Sequence, residues 1–430
     1  MNVYLIAIAA TGLTLGWVYA FLLGCQTWES RRYARGRRQH LSPLKDDQQR
    51  VALFIPCKGY DLQLTENLTA LFKLDYPHYQ LVFIVENDQD PAFETIHELI
   101  RRRPEVPART VIAGQCTDSG QKVHNLLVAT DQVPADVDVL VFVDSDARPH
   151  RGWLRCLLTG LAKDGIGATT GYRWMLPLRR RFSNYLLYSI NSATAVLFGR
   201  GGPVPVWGGS WAIRREVFEA IRLRDAWRGT LSDDMVATRV IYKAGYRVFF
   251  EPRCVTASPV DTTMLGAMEF LRRQFLIGRK YSFRMWSGAF AAQALSQVAL
   301  WGSLALGFWA VAVGNTLGLL GFVNFVALYG GTVFRCWLRQ EVGRHCFPRR
   351  QEQLTHARWF DILAGPALGP FNLLGFVSSC FGSCITWRDI RYRIHRGGQI
   401  SLLDDPRNKP VILSMKNATS APLEKQHHAA

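Results

Sequence analysis

The chain has 430 residues, 48% of them hydrophobic and 12% aromatic, and carries a formal net charge of +17. Length alone would allow two or three soluble domains. The charge would suit a nucleic-acid partner, but no helix-turn-helix, zinc finger or RNA-binding signature is present. The nine cysteines are scattered, odd in number and without a CxxC pair, which reads as reduced, mostly buried thiols.

The first element is VYLIAIAATGLTLGWVYAFLLG (Val3–Gly24), which carries no charge. As a helix it would span about 33 Å, enough for a bilayer core. Only Met1 and Asn2 precede it, so a signal peptide's basic n-region is missing, and no clean cleavage site follows. Residues 1–27 are therefore expected to be a retained membrane anchor. RRYARGRRQH (Arg31–His40) follows directly. A basic run this close to a span is a positive-inside signal that places the next domain in the cytoplasm. Basic residues crowd beside apolar segments, so anionic membrane lipids, and no nucleic acid, are the expected surface partner.

Residues 28–284 are expected to hold a cytoplasmic α/β domain with interfacial helices. VALFIP, QLVFIV, RTVIAG and DVLVFV read as strands, and LQLTENLTALFKL, AFETIHELIRRR and QKVHNLLVATDQV between them as helices. Such alternation argues for βαβ units and a mostly parallel sheet, whose ligands bind beyond the carboxyl ends of the strands. Polar residues gather there: Lys58 after the first strand, Glu86 and Asp88 after the second, Asp144 and Asp146 after the fourth. RRRFSNYLLYSINSATAVLFG (Arg179–Gly199) is amphipathic and fits either a core helix or an interfacial one.

The last third is apolar again. Phe290 to Val333 contains no charge, so residues 285–338 are expected to form two transmembrane helices turning near Gly314–Asn315. Residues 339–396 read as a basic loop followed by an apolar segment, Ile362–Ile385, with basic flanks on both sides. Its Gly-Pro pairs at 365–366 and 369–370 would interrupt a helix, so a re-entrant or interfacial segment is expected. Residues 397–430 read as a polar tail. NLT at Asn67 and NAT at Asn417 match a glycosylation pattern, which a cytoplasmic placement makes false matches.

Two motifs carry chemistry. Asp144 and Asp146 in VDSDARP repel each other unless a cation sits nearby. Mg²⁺ or Mn²⁺ takes one or two carboxylates and completes its shell with phosphates, which points to a nucleotide diphosphate. A plain turn is the bland alternative for Asp-Ser-Asp. In LSDDMVAT, Asp233 and Asp234 open a helix, where carboxylates also serve as caps. Gly208 and Gly209 in VWGGSWAIRREVF mark a close backbone approach or a strand bulge.

Together PCKGYDLQLTENLTALFKLDYPHYQLVFIVENDQDPA, GQKVHNLL, VDSDARP, GGSWAIRREVF, LSDDMVAT and WRDIRYRIHRGG resemble a family 2 glycosyltransferase of the GT-A fold. More closely, they resemble ceramide glucosyltransferases and their bacterial relatives. The resemblance covers roughly residues 50–285 and the last membrane-proximal segment. It implies a nucleotide-diphospho-sugar transferase domain with N- and C-terminal transmembrane helices, and inverting transfer from a UDP-sugar to a lipid hydroxyl. It implies that Lys58, Glu86 and Asp88 line the nucleoside pocket, and that Lys122 and Asn125 hold uridine or phosphate. Asp144 would hold ribose or pyrophosphate and share the metal with Asp146. Asp234, beside Asp233, would be the general base. Gly208, Gly209, Arg272, Arg273 and Gln274 would lie on the acceptor or diphosphate side. The family's QxxRW motif is absent, and EFLRRQFLIGRKY (Glu269–Tyr281) occupies its place; that helix also fits a basic face lying on a bilayer. A processive polysaccharide synthase would need that motif and more spans. A catalytically inactive membrane scaffold would not need to retain Asp144, Asp146 and Asp234 together. The expected location is that of an integral membrane protein with its catalytic domain in the cytoplasm, the membrane being the inner one if the cell is bacterial.

Overall fold

The structure is a computed structural model that describes residues 3–39, 48–199, 203–314 and 318–404. Its strands are β1 (Val51–Pro56), β2 (Tyr79–Val85), β3 (Ala108–Ile112), β4 (Val139–Val143), β5 (Ile166–Thr170), β6 (Arg173–Pro177), β7 (Ser210–Arg214), β8 (Arg247–Phe250), β9 (Thr256–Val260), β10 (Cys384–Trp387), β11 (Ile390–Ile394) and β12 (Ile400–Asp404). Eight of the nine strands up to residue 260 pair in parallel with a neighbour, and seven build one sheet in the order β3-β2-β1-β4-β7-β5-β8. β7 is the exception: it runs antiparallel to both β4 and β5. β6 and β9 form a small parallel pair beside the sheet.

The unbroken apolar runs of the central strands follow from burial on both faces. Ala52, Phe54, Val82, Ile84, Leu140 and Phe142 point into one core, joined by Val123, Leu126 and Ala129 of the Gln121–Asp131 helix. Leu53, Ile55, Phe83, Val141 and Val143 point into the other, against Leu64, Leu68, Ile96, Trp153 and Leu157 from three helices. Each fully buried Val, Leu, Ile or Phe among these contributes roughly 1.5–3 kcal/mol. These contacts fix the strand ends on which the site is built.

Three helical stretches among the described residues are long and apolar enough to cross a membrane: Phe283–Ala312, Leu319–Cys346 and Pro348–Cys380. The N-terminal segment is one continuous helix, Val3–Gln39, packed along the first two of these. Its basic end is more than a solvated flank. Arg37 pairs with the fully buried Glu251, which Arg253 also holds at 2.8 Å, and the Tyr33 hydroxyl donates to the Phe250 carbonyl at 2.9 Å. The Phe182–Ala195 helix resolves toward the core reading: Leu186, Leu187 and Tyr188 are buried. Its Ser189 joins Asp361, Arg339 and Gln340 in a buried polar knot that fastens the α/β domain to two of the apolar helices.

The C-terminal part refines one expectation and changes another. The Gly-Pro pairs do interrupt the α-helix, as expected, but they do so for one turn without ending the helical stretch. Helix Gln351–Ala364 passes through a 3₁₀ turn, Gly365–Leu368, into helix Gly369–Cys380. Pro366 and Pro370 sit in the first positions of their elements, where a backbone N–H is not needed. The expected polar tail begins instead as structure. β12 closes an antiparallel sheet, β10-β11-β12, whose buried residues include Ile385, Ile390, Tyr392 and Ile394. The alternation of buried Ile390, Tyr392 and Ile394 with exposed Arg391 and Arg393 explains why a basic flank folds as a strand. Asn417 and the remainder of the tail, 405–430, lie outside the described residues.

Candidate active site

The acidic groups meet because β7 is antiparallel. Val143, the last residue of β4, faces Ser210, the first residue of β7, and the Asp144 N–H points to the Gly209 carbonyl at 3.4 Å. Gly208 and Gly209 thus lie beside the DxD turn. Opposite them the Asp233–Lys243 helix begins, with Ser232 as its N-cap. Lys122 enters from the first turn of the Gln121–Asp131 helix.

Lys122 is the centre of the group. Its Nζ lies 2.7 Å from Asp144 Oδ1, 3.3 Å from Asp233 Oδ1 and 3.4 Å from the Gly208 carbonyl. Burial alone would discharge this amine, but Asp144, Asp233 and Asp234 together hold its pKa above the ordinary lysine value. Asp233 is 2% exposed, and burial pushes its carboxyl up to about 6 in spite of Lys122. Its Oδ2 has no hydrogen-bond partner among the described residues. Asp234 is half-buried at the helix mouth. Its Oδ1 accepts from the Ser232 hydroxyl at 2.5 Å and the Met235 N–H at 2.7 Å, and its Oδ2 from the Gly208 N–H at 3.2 Å. The glycines are required by space. A Cβ on Gly208 would stand 2.8 Å from Asp233 Oδ2 and 2.9 Å from Lys122 Nζ, and one on Gly209 2.4 Å from the Trp207 ring.

Asp146 completes the site on the other side of the turn. Burial, then Asp144, push its carboxyl up to about 6, with Arg173 opposing. Its Oδ1 is enclosed and has no hydrogen-bond partner among the described residues. The turn is held from behind by Asn67, which donates to the Ser145 carbonyl at 3.2 Å and accepts from Arg148 at 2.9 Å. Asn67 is fully buried, so the NLT match is not a glycan acceptor. The Ser145 hydroxyl donates to Asp61, which also pairs with Arg388 at the β10–β11 turn.

The other expected residues divide. Lys58 pairs with buried Glu86 at 2.7 Å across the ends of β1 and β2. Asp88 lies exposed in the following turn, apart from the acidic cluster. Asn125 sits under the loop after β3, its amide oxygen accepting from Gln121, which itself binds the Gly114 carbonyl and the Cys116 N–H. That assigns Asn125 a part in shaping the loop. On the Met264–Tyr281 helix, Arg272 donates to the Phe381 and Cys384 carbonyls, and Gln274 is exposed. Arg273 faces inward, over Trp387 and Phe270, and burial lowers its pKa to about 10, with Arg173 and Arg388 adding to the effect. Asp61, Arg173 and Arg388 are the members that sequence reading missed. The only available signal was the position of Asp61 in PCKGYD and of Arg388 in WRDIRYR.

The family model of glycosyl transferase family 21 matches residues 10–400. Among curated proteins, ceramide glucosyltransferase 1 of Caenorhabditis elegans is 29% identical over 79 residues, 18% of this chain and 17% of that protein. The ceramide glucosyltransferase of Komagataella phaffii is 28% identical over 109 residues, 24% of this chain and 21% of that protein. The chain thus aligns with about a fifth of the length of these relatives. Among solved structures, a mannosyltransferase from Pyrobaculum calidifontis in complex with GDP-Man and Mn²⁺ is similar at a TM-score of 0.47 and 16% identity, covering 87% of this chain and 98% of its own. Glucosyl-3-phosphoglycerate synthase from Mycobacterium tuberculosis, in complex with Mn²⁺ and UDP-glucose, is similar at 0.34 and 13%, covering 53% of this chain and 78% of its own. The mixed sheet and the family match agree with the α/β GT-A class expected from the sequence.

Proposed function

The chain belongs to glycosyl transferase family 21, and from that premise we propose that it is a membrane-bound inverting glycosyltransferase. It moves a sugar from a UDP-sugar, of the UDP-glucose kind, to the hydroxyl of a membrane lipid such as ceramide. The observation that supports this most is the convergence of Asp144, Asp233 and Asp234 on Lys122 at the carboxyl end of β4. Ligands of open α/β sheets bind at this edge.

Asp234 is the proposed general base. It lies at the mouth, where an acceptor oxygen could come within about 3 Å, while Asp233 is buried behind it. The Gly208 N–H, the Ser232 hydroxyl and the Met235 N–H fix the orientation of the Asp234 carboxylate. As Asp234 takes the acceptor proton, the acceptor oxygen bonds to the anomeric carbon on the face opposite the diphosphate, whose bond to that carbon breaks, so the configuration inverts. Lys122 stays charged between Asp144 and Asp233 and keeps positive charge beside the leaving group. Lys58 and Glu86 bound the nucleoside end.

The acidic turn fits a divalent ion. Asp146 offers an enclosed, unpartnered oxygen beside Asp144. Among the described residues no group of three or more His, Cys, Asp or Glu could hold a metal unaided. Two carboxylates completed by substrate phosphates are a usual Mg²⁺ arrangement. Asp146 and Asp144 would hold Mg²⁺ or Mn²⁺, which would supply Lewis-acid stabilisation to the departing diphosphate. The three apolar helices support seating the α/β domain against a bilayer, and the basic flanks favour its cytoplasmic side. A lipid hydroxyl then reaches Asp234 from the membrane surface.

The test is incubation of the detergent-purified protein with several UDP-sugars and a lipid panel, read by mass spectrometry. A single glycolipid is expected. Asp234→Asn should keep UDP-sugar binding and abolish transfer; full activity in that variant would end the base assignment.

A further inference from the structure

The side of the site around Asp146 gathers positive charge that the reading above does not use. Arg173 and Arg273 flank one ring, Phe270, at 5.0 and 5.5 Å. Arg173 also lies over Trp207 at 5.9 Å, and Arg273 over Trp387 at 5.9 Å. Neither is ion-paired to a carboxylate among the described residues, and the Arg173 Nε is enclosed with no hydrogen-bond partner. Guanidiniums collected on aromatic faces with donors unspent make a receptor for a planar or tetrahedral oxyanion.

The third cation comes from far along the chain. Arg388 and Asp389 form the two-residue turn between Trp387 and Ile390, with φ of 50° and 67°. A hairpin turn with both residues left-handed favours Asn-Gly, so an arginine there is held against its backbone preference. The turn delivers the Arg388 guanidinium to Asp61, within the field of Asp146 and Asp144. The sheet that carries it is docked firmly. The Tyr392 hydroxyl accepts from the Gln121 N–H at 3.3 Å, the Ile400 N–H donates to the Gly229 carbonyl at 2.9 Å, and the Tyr281 hydroxyl links the Gly398 carbonyl to the Leu231 N–H. Strain at a turn that reaches the DxD through Asp61, on an otherwise well-bonded sheet, marks the turn as the working part.

We infer that Arg388, with Arg173 and Arg273, forms a subsite for the second phosphate of a nucleoside diphosphate, supplied by the C-terminal sheet, and that Asp61 holds Arg388 in the anion's stead until a diphosphate displaces it. The inference rests on the donor reading and deepens it: the site distinguishes a diphosphate from a monophosphate through residues that follow the last apolar helix.

The test is calorimetric titration of the full chain in detergent, at fixed Mg²⁺, with UDP, UMP and inorganic pyrophosphate. Arg388→Ala should weaken UDP and pyrophosphate by about tenfold, the scale of a lost hydrogen bond to a charged group, and leave UMP nearly unchanged. Asp61→Asn should bind pyrophosphate more tightly than wild type, because the competing carboxylate charge is gone. A merely structural Asp61–Arg388 pair predicts the opposite sign. Equal losses for UDP and UMP in Arg388→Ala, or weakened pyrophosphate binding in Asp61→Asn, would overturn the inference. Should Arg388→Ala not fold, Arg388→Lys in the same titrations decides by the same ratio. Wild-type protein that binds pyrophosphate, with loss on Arg388 substitution, but shows no UDP preference over other nucleotides would remove the UDP reading and keep the subsite. Wild-type protein that binds no pyrophosphate and does not prefer UDP over UMP would remove the subsite.

Discussion

Replacing Asp233 by Asn should make the protein more stable at neutral pH. The Asp233 side chain is 2% exposed, and its carboxyl is pushed from the usual 3.8 up to about 6, by burial first, with Lys122 opposing. A rise of that size corresponds to about 3 kcal/mol of preference for the neutral form at 1.36 kcal/mol per pKa unit. The sign follows from linkage. The fold prefers the protonated group, so its contribution is fully present below pH 3.8, fades as pH rises and is lost above about pH 6. Asparagine mimics the neutral form at every pH. At about 2–4 °C per kcal/mol for a domain of this size, Asp233→Asn should melt about 6–12 °C above wild type at pH 7.5. The difference should shrink toward zero near pH 4. Tryptophan-fluorescence melting in detergent across that range measures both. A variant that melts at or below wild type at pH 7.5, or a gap that does not close with acid, would refute the reasoning. A stabilised variant with impaired transfer would show the ionised group to be retained at a cost to the fold for the sake of the reaction.

Asp146→Ala should weaken metal-dependent donor binding and leave metal-free nucleotide binding in place; unchanged metal affinity in equilibrium dialysis would count against the carboxylate's role. Gly208→Ala should impair donor binding and cost about 1–3 kcal/mol, since its Cβ would press on Asp233 and Lys122; a wild-type melt and activity would show that the two elements part easily. Arg37→Ala should destabilise the join between the first helix and the α/β domain. Glu251 is a buried group whose carboxyl its arginine partners hold below the usual 4.5 against the opposing effect of burial, so the pair's contribution is present above that pH and lost as pH falls below it. The loss in melting temperature for Arg37→Ala should therefore be larger at pH 7 than at pH 4.

The parts of the fold legible in the sequence were those specified by local pattern. The runs of β1, β2 and β4 are apolar because both faces are covered, and the helix that opens at Ser232 is announced by its cap. Lys58, Lys122, Asp144 and Asp234 stood at predictable element ends, and the structure brings the last three together. What escaped depended on long-range pairing. The direction of β7, which sets Gly208 and Gly209 against Asp144 and Asp233, has no local signature. The β10–β12 sheet did carry one, in the period-two alternation of Ile390 to Ile394, but its arginines also fit a membrane flank. Arg272 and Arg273 are neighbours in sequence and opposite in use, one spent on backbone carbonyls and the other turned toward Arg173. Only packing separates them.

The order of synthesis gives the C-terminal sheet a further meaning. Residues 384–404 leave the ribosome after the three apolar helices described above, yet they dock beside the turn between the Leu223–Trp227 helix and the helix that opens at Asp233, through Thr230 and Gln399. A nascent chain that has made Asp144, Asp146 and Asp234 still lacks Arg388 until the segment after the final apolar helix has been produced. On the reading proposed above, competence to consume donor arrives together with completed insertion, so a half-threaded chain would not spend sugar nucleotide.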